Sequence, residues 1–286
     1  MNIMQMTSFT AHLKIMLVMG FLALNGCEDA QVEVVERDLL PSEFPVDFTP
    51  PNDHLTGQKL DGWGGGFGEI IHTPIVFIHG NAHSADNWKT MASYFAENGY
   101  TWNELWALSY LQSSPSVDFN SNEGNWREVD DFVEAVLNYT GADKVNVISH
   151  SLGVTIVRTW LKHSEDYNQV EHFVGIAGAN HGVAFCFGDT TGLCGELGNP
   201  QSQFLDWLNG EDETPRDDIV EWITFYNGEN LDMFFMESVL MNTGEYHDLR
   251  FSPMLDGALN IQFPELDHFE LALSKTVYDT LETCLK

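Results

Sequence analysis

Ser151 stands in the pentapeptide Ser149-His150-Ser151-Leu152-Gly153, and its neighbours make it a candidate nucleophile. The run Val145 to Ser149 has the length and composition of a buried strand. Leu152, Thr155, Ile156, Thr159 and Trp160 then recur at helical spacing. A serine raised on so sharp a strand-to-helix turn needs very small residues two before and two after it. Gly153 meets the second requirement; Ser149 stands where the usual pattern has glycine, and is still small. The same turn aims the Leu152 N–H and the helix N-terminus at a developing oxyanion. A serine also needs a base to take its proton and an acid to orient that base, here expected later in the chain, acid before base. The run Trp222 to Tyr226 leads into Asn227-Gly-Glu-Asn-Leu-Asp232, so Asp232 is the preferred acid and Glu229 the second choice. Leu259 to Phe263 leads on to Asp267-His268, which makes His268 the base; Asp267 is too close in sequence to face it. His79, in His79-Gly80-Asn81-Ala82, is the rival base, but its position suits a loop-stabilising hydrogen bond better.

The elements that must hold these residues alternate. Ile75 to Ile78 is a short, wholly apolar strand, followed by a helix over 86–98 with Trp88, Met91, Ala92 and Phe95 on one stripe. Leu105 to Tyr110 reads as a strand, and 124–140 as an amphipathic helix with Val129, Phe132, Val133, Val136 and Leu137 inward. Phe173 to Ala177, Trp222 to Tyr226 and Leu259 to Phe263 supply further strands, and 267–285 a closing helix. Strands apolar on both faces, alternating with helices, specify an α/β fold with a mostly parallel sheet covered on both sides. In such sheets chemistry gathers beyond the carboxyl ends of the strands, where all the candidates fall.

From Thr73 to Leu285 the chain resembles the α/β-hydrolase superfamily. Within it the chain is similar to secreted bacterial class 2 lipases and lipase-like extracellular polyhydroxybutyrate depolymerases. The resemblance rests on Val76-Phe-Ile-His-Gly-Asn81, Ser149-His-Ser-Leu-Gly153, Phe225-Tyr226, and Leu255-Asp-Gly-Ala258 with Asn260 and Gln262 before His268. It implies an α/β-hydrolase sheet with a small lid-like insertion and a cofactor-free carboxylic-ester hydrolase. Ser151, Asp232 and His268 would form the triad, and the N–H groups of Asn81 and Leu152 the oxyanion hole. Neutral acyl esters are the expected substrates, with a polyester depolymerase as the alternative. From another class stands a lipid-anchored surface binding protein that has lost catalysis on the same scaffold.

The 286 residues carry a net charge of −31, which repels nucleic acid and anionic lipid alike, while 43% apolar residues suffice for a full core. Residues 1–26 hold one lysine, Lys14, and no acid, followed by Ile15 to Leu24 and then Asn25-Gly26-Cys27. This reads as a secretory signal of the lipoprotein type with lipidation at Cys27. An outer or cell-surface membrane lipoprotein is therefore expected, or else a secreted or periplasmic protein. Residues 27–60 read as an acidic, proline-bearing tether that then lies along the domain, and 61–286 as the catalytic domain with an insertion over 180–221. In the insertion, Cys186 and Cys194 flank a short loop suited to a disulfide after export. Its aromatics Phe204 and Trp207 suit either a lid or core, and its acidic end (Glu211, Asp212, Glu213, Asp217, Asp218) a solvated face rather than a calcium loop. The run Leu231 to Met236 suits an acyl-chain wall or a packed helix equally. Cys284 reads as a buried, inert thiol.

Overall fold

The computed structural model describes residues 40–66, 68–110, 121–186, 190–241 and 244–286. The segment expected to be a signal, Cys27 and the first part of the expected tether lie outside the described residues. Nine strands appear among them in chain order: β1 Asp61–Gly64, β2 Ile75–Ile78, β3 Leu105–Ser109, β4 Val145–His150, β5 Val170–Ile176, β6 Glu221–Tyr226, β7 Val239–Leu240, β8 Tyr246–His247 and β9 Leu259–Gln262. The helices are α1 Lys89–Glu97, α2 Asn122–Thr140, α3 Leu152–Ser164, α4 Gly192–Leu197, α5 Gln203–Asn209, α6 Glu270–Leu273 and α7 Lys275–Cys284. Seven strands form one sheet in the order β1-β3-β2-β4-β5-β6-β9, parallel except for β1, which runs antiparallel to β3 at the edge. The wholly apolar runs become the sheet's centre: every residue of β2, β3 and β4 is buried. Strand order reverses between β2 and β4, so a crevice opens beyond their carboxyl ends. Among the described residues no helix is long and apolar enough to cross a membrane.

Helix α2 begins where Ser121 Oγ accepts from the Gly124 N–H and stops at Gly141, left-handed at φ 71°. It is tied to α3 by the Trp160 indole N–H, which donates to Asp130 Oδ1 at 2.8 Å. Four features differ from the sequence expectation. The glycine-rich stretch before β2 contains a strand, β1, because Trp63 is fully buried and donates its indole N–H to the Ala85 carbonyl. The described part of the tether does more than lie along the domain: Phe48 enters the core and packs on Trp106 at 4.8 Å. The closing helix is two helices, since Ser274 is extended (ψ 132°) and its Oγ accepts from Thr276 N to start α7 afresh. Cys284 is half-buried on α7, and burial, with Glu221 nearby, raises its thiol pKa.

Candidate active site

The turn after β4 is shaped by contact rather than by hydrogen bonding alone. Ser151 has φ 55° and ψ −124°, a conformation that costs a non-glycine residue of order 1–3 kcal/mol and is found where function needs it. Helix α3 starts immediately after, at Leu152, whose N–H lies in the first turn where no carbonyl four residues back can accept it. A Cβ on Gly153 would sit 2.5 Å from the His79 carbonyl oxygen, so only glycine lets α3 approach the end of β2. A Cβ on Gly80 would sit 2.8 Å from Ser151 Cβ, so the loop carrying Asn81 passes directly over the serine. Ser149, in the place of the usual glycine, is fully buried and donates its hydroxyl to the Val174 carbonyl at 3.0 Å. A hydroxyl is therefore accommodated there with its bond satisfied.

Beyond β6 and β9 two loops meet. His268 is 3% exposed and Asp232 1%, and His268 Nδ1–H donates to Asp232 Oδ2 at 3.0 Å. That tautomer leaves Nε2 as the acceptor a serine proton needs. Asp232 Oδ1 accepts from the Phe234 N–H, and Phe234 packs on the imidazole at 4.4 Å. Glu229, the other carboxylate of this loop, is exposed. Asp267 faces away and caps α6, its Oδ1 accepting from the N–H groups of Phe269 and Glu270.

Ser151, Leu152, Asn81 and His268 all line one cavity of about 300 Å³, a size typical of small-molecule sites. Its remaining wall is mostly apolar, with Val183, Phe185, Leu193, Leu197, Phe234 and Phe235. The structure thus brings Ser151, Asp232, His268, Asn81 and Leu152 to one end of the sheet. Phe234 and Phe235 belong to the wall, while Leu231, Met233 and Met236 are exposed in a turn-rich segment that is not a helix. Cys186 and Cys194 form a disulfide with Cα atoms 5.4 Å apart, joining the chain just after Phe185 to that just after Leu193. Phe204 and Trp207 do not reach this cavity; Trp207 packs on His163 and Lys162. Glu213 is held by His181 Nε2–H at 2.8 Å and by the Asp256 N–H.

Two residues, Asn227 and His150, gain roles that the sequence did not indicate, and His79 takes the loop-stabilising one it did. The Asn227 side-chain N–H groups donate to the carbonyls of Pro264 (3.0 Å) and Leu266 (2.8 Å), and its Oδ1 accepts from Glu229 N; it staples the acid loop to the base loop. His150 Nε2–H donates to the His268 carbonyl at 2.8 Å, tying the serine turn to the base; burial and the neighbouring His268 push its pKa well below the usual histidine range. His79, the rival base, donates Nδ1–H to the Gly80 carbonyl at 2.7 Å and stacks on Tyr110 at 4.1 Å. Burial lowers its pKa to about 4.

A strained serine between strand and helix, at the switch point of a mostly parallel sheet that ends in an acid loop and a histidine loop, defines the α/β-hydrolase class of fold. A family model for lipase (class 2) matches residues 72–228, more than half of the chain. The chain belongs to that family, which is one of carboxylic-ester hydrolases; the matched span includes Ser151 and ends before Asp232 and His268. Among solved structures it is similar to Bacillus licheniformis lipase BlEst2. Against the propeptide form the TM-score is 0.60 at 18% identity, over 78% of this chain and 52% of that one. Against the mature form it is 0.58 at 19%, over 79% and 96%. Aspergillus fumigatus lipase B matches at TM-score 0.53 and 16% identity, over 74% of this chain and 53% of that one. The chain thus spans about half the length of two of these three. At such identities the likeness concerns the fold.

Proposed function

We propose that this chain is an exported serine hydrolase of neutral acyl esters, working through an acyl-enzyme on Ser151. The observation that carries the reading is the buried Asp232–His268 pair opening on the same cavity as Ser151. His268 Nε2 takes the Ser151 proton as Oγ attacks the ester carbonyl, and Asp232 stabilises the imidazolium. The N–H groups of Asn81 and Leu152 hold the oxyanion, each contributing roughly 3 kcal/mol. The proton then passes to the leaving alcohol, and water activated by His268 releases the acid. The apolar wall of Val183, Phe185, Leu193, Leu197, Phe234 and Phe235 suits an uncharged acyl chain. Exposed Leu231 (52%), Met233 (63%) and Phe269 (42%) beside the acid and base favour substrate presented at an apolar surface, as a lipid aggregate or a polyester would be. The segment Lys14 to Cys27 supports export and lipid anchoring at Cys27, which would leave the acidic domain in solution beside the membrane.

Hydrolysis of a nitrophenyl ester series, run beside a polyester film, tests the reading. Activity should prefer uncharged acyl chains, and Ser151→Ala should lower kcat by about 10⁴-fold or more with an unchanged melting curve. Retained turnover in that variant would place the nucleophile elsewhere, and no turnover in the wild-type chain would leave the scaffold a binding protein; either result sinks the reading.

A further inference from the structure

Ser151 is fixed by contact, but the loop that passes over it is held in another way. Gly80, Asn81 and Ala82 line the Ser151 cavity, whereas His79 borders the smaller chamber behind the loop. The Gly80 carbonyl accepts two hydrogen bonds, from His79 Nδ1–H at 2.7 Å and from the His83 N–H at 3.3 Å. The second closes a four-residue turn in which Ala82 is left-handed at φ 57° and Asn81 is not. That is the type II form, which favours glycine where Ala82 stands, so the surroundings must hold it. The Gly80 carbonyl and the Asn81 N–H belong to one planar trans peptide unit and point in opposite directions. Pinning the carbonyl toward His79 therefore aims the Asn81 N–H away from His79, on the side where Asn81 lines the cavity with Ser151.

His79 is itself held. Parallel pairing sets Ile78 beside Leu108, so the chain ends carrying His79 and Tyr110 emerge together. Tyr110 donates its O–H to the His79 carbonyl at 2.6 Å, and its ring stacks on the imidazole at 4.1 Å. Both side chains are buried. Burial raises the Tyr110 pKa, which keeps the O–H in place to donate, and lowers that of His79 to about 4, which keeps the imidazole neutral. The tautomer follows. His79 Nε2 is buried without a partner, so a proton there would be an unpaired buried donor, and the Nδ1 lone pair would face the Gly80 oxygen. Nδ1 carries the proton that pins the loop.

We infer that Tyr110 and His79 form a clamp that aims the Asn81 oxyanion donor, with Tyr110 a positioning residue acting through His79. The inference rests on the ester-hydrolase reading above. The Leu152 N–H is aimed by α3, so the clamp governs the donor that no helix orients. As Ser151 Oγ bonds to the acyl carbon, its proton passes to His268 Nε2. The carbonyl electron pair moves onto oxygen, and the Asn81 N–H meets it there.

The test compares the full chain with Tyr110→Phe, His79→Phe and His79→Asn on a nitrophenyl butanoate. Inhibition by a trifluoromethyl ketone is measured beside that by the methyl ketone of the same chain length. Serine adds to the first to give an oxyanion and leaves the second intact, so the pair reads the oxyanion hole. His79→Phe should lower kcat about 100-fold and Tyr110→Phe about tenfold, with KM within about twofold. Trifluoromethyl ketone inhibition should weaken by the same factors and methyl ketone inhibition should not change. The acid limb of kcat/KM, which reports the catalytic base, should stay in place. His79→Asn, whose amide N–H stands near the place of Nδ1–H, should regain about tenfold over His79→Phe. Unchanged rates in Tyr110→Phe and His79→Phe overturn the clamp. So does a loss that the methyl ketone shares, that moves the acid limb, or that His79→Asn does not recover. If the His79 variants do not fold, Tyr110→Phe, which keeps the stacked ring, decides by the same ketone pair and pH limb. Wild-type protein that releases no nitrophenol fails the hydrolase reading itself; an active wild type with unaffected variants fails the clamp alone.

Discussion

The serine turn and the acid–base loops meet in one cavity, yet they are held by different means. On the serine side, neighbouring parallel strands put Ile78 opposite Ser149, and the contacts of Gly80 and Gly153 leave the turn one available path. On the acid–base side no strand pairing reaches the functional residues. Asp232 and His268 each lie several residues past the last ladder pair, Tyr226–Gln262, and side chains of Asn227 and His150 close the gap by bonding to distant carbonyls. Steric necessity fixes Ser151; long-range hydrogen bonds fix the Asp232–His268 pair. The first should resist substitution of polar groups, and the second should be sensitive to it.

The largest test of that contrast is Asp232→Asn, which keeps the shape of the acid and loses its charge. It should lower kcat by about 10⁴-fold with little change in KM, whereas Glu229→Gln should leave kcat within about twofold; equal losses would reassign the acid. Next is pH. His79 and His150 ionise less readily when folded, so the unfolded chain binds protons first as pH falls. Stability is full above about 6.5 and declines toward pH 4, by about 3 kcal/mol from His79 alone. Glu128 and Glu196, whose carboxyls burial pushes up, act in the opposite sense. Urea midpoints across that range should therefore fall with acidity; a flat profile would mean the histidine side of the site is not closed as described. Asn227→Ala should lower kcat about 10–100-fold by loosening His268, visible as a kcat effect at nearly constant KM. Ser149→Gly, on the sterically fixed side, should be the mildest. It removes one bond to Val174, costs about 1 kcal/mol in a denaturant titration, and leaves kcat within about twofold.

The same contrast explains what the sequence disclosed. Strands β2, β3 and β6 were legible within a few residues because burial on both faces writes itself as a nearly unbroken apolar run, whereas β9, exposed or half-buried throughout, shows only Leu259 and Ile261 in alternation. Ser151, Gly153 and the Asn81 loop were legible because a sharp turn tolerates few residue types. Strand β1 was not, since its glycines remove the side-chain pattern and leave Trp63 as the one strong sign. The two-piece end of the chain was hidden because Ser274 is as plausible inside a helix as at its cap. The choice between Asp232 and Glu229 stayed open because loop length, not local pattern, decides which carboxylate reaches His268. His150 and Asn227 passed unremarked for a related reason: their partners are backbone carbonyls 118 and 39 residues away.

The most direct measurement is titration with a fluorophosphonate followed by peptide mass analysis. One equivalent should bind, on Ser151 alone, with labelling slowed by orders of magnitude in His268→Ala. No adduct, or an adduct on another residue in protein that still hydrolyses esters, would contradict the account.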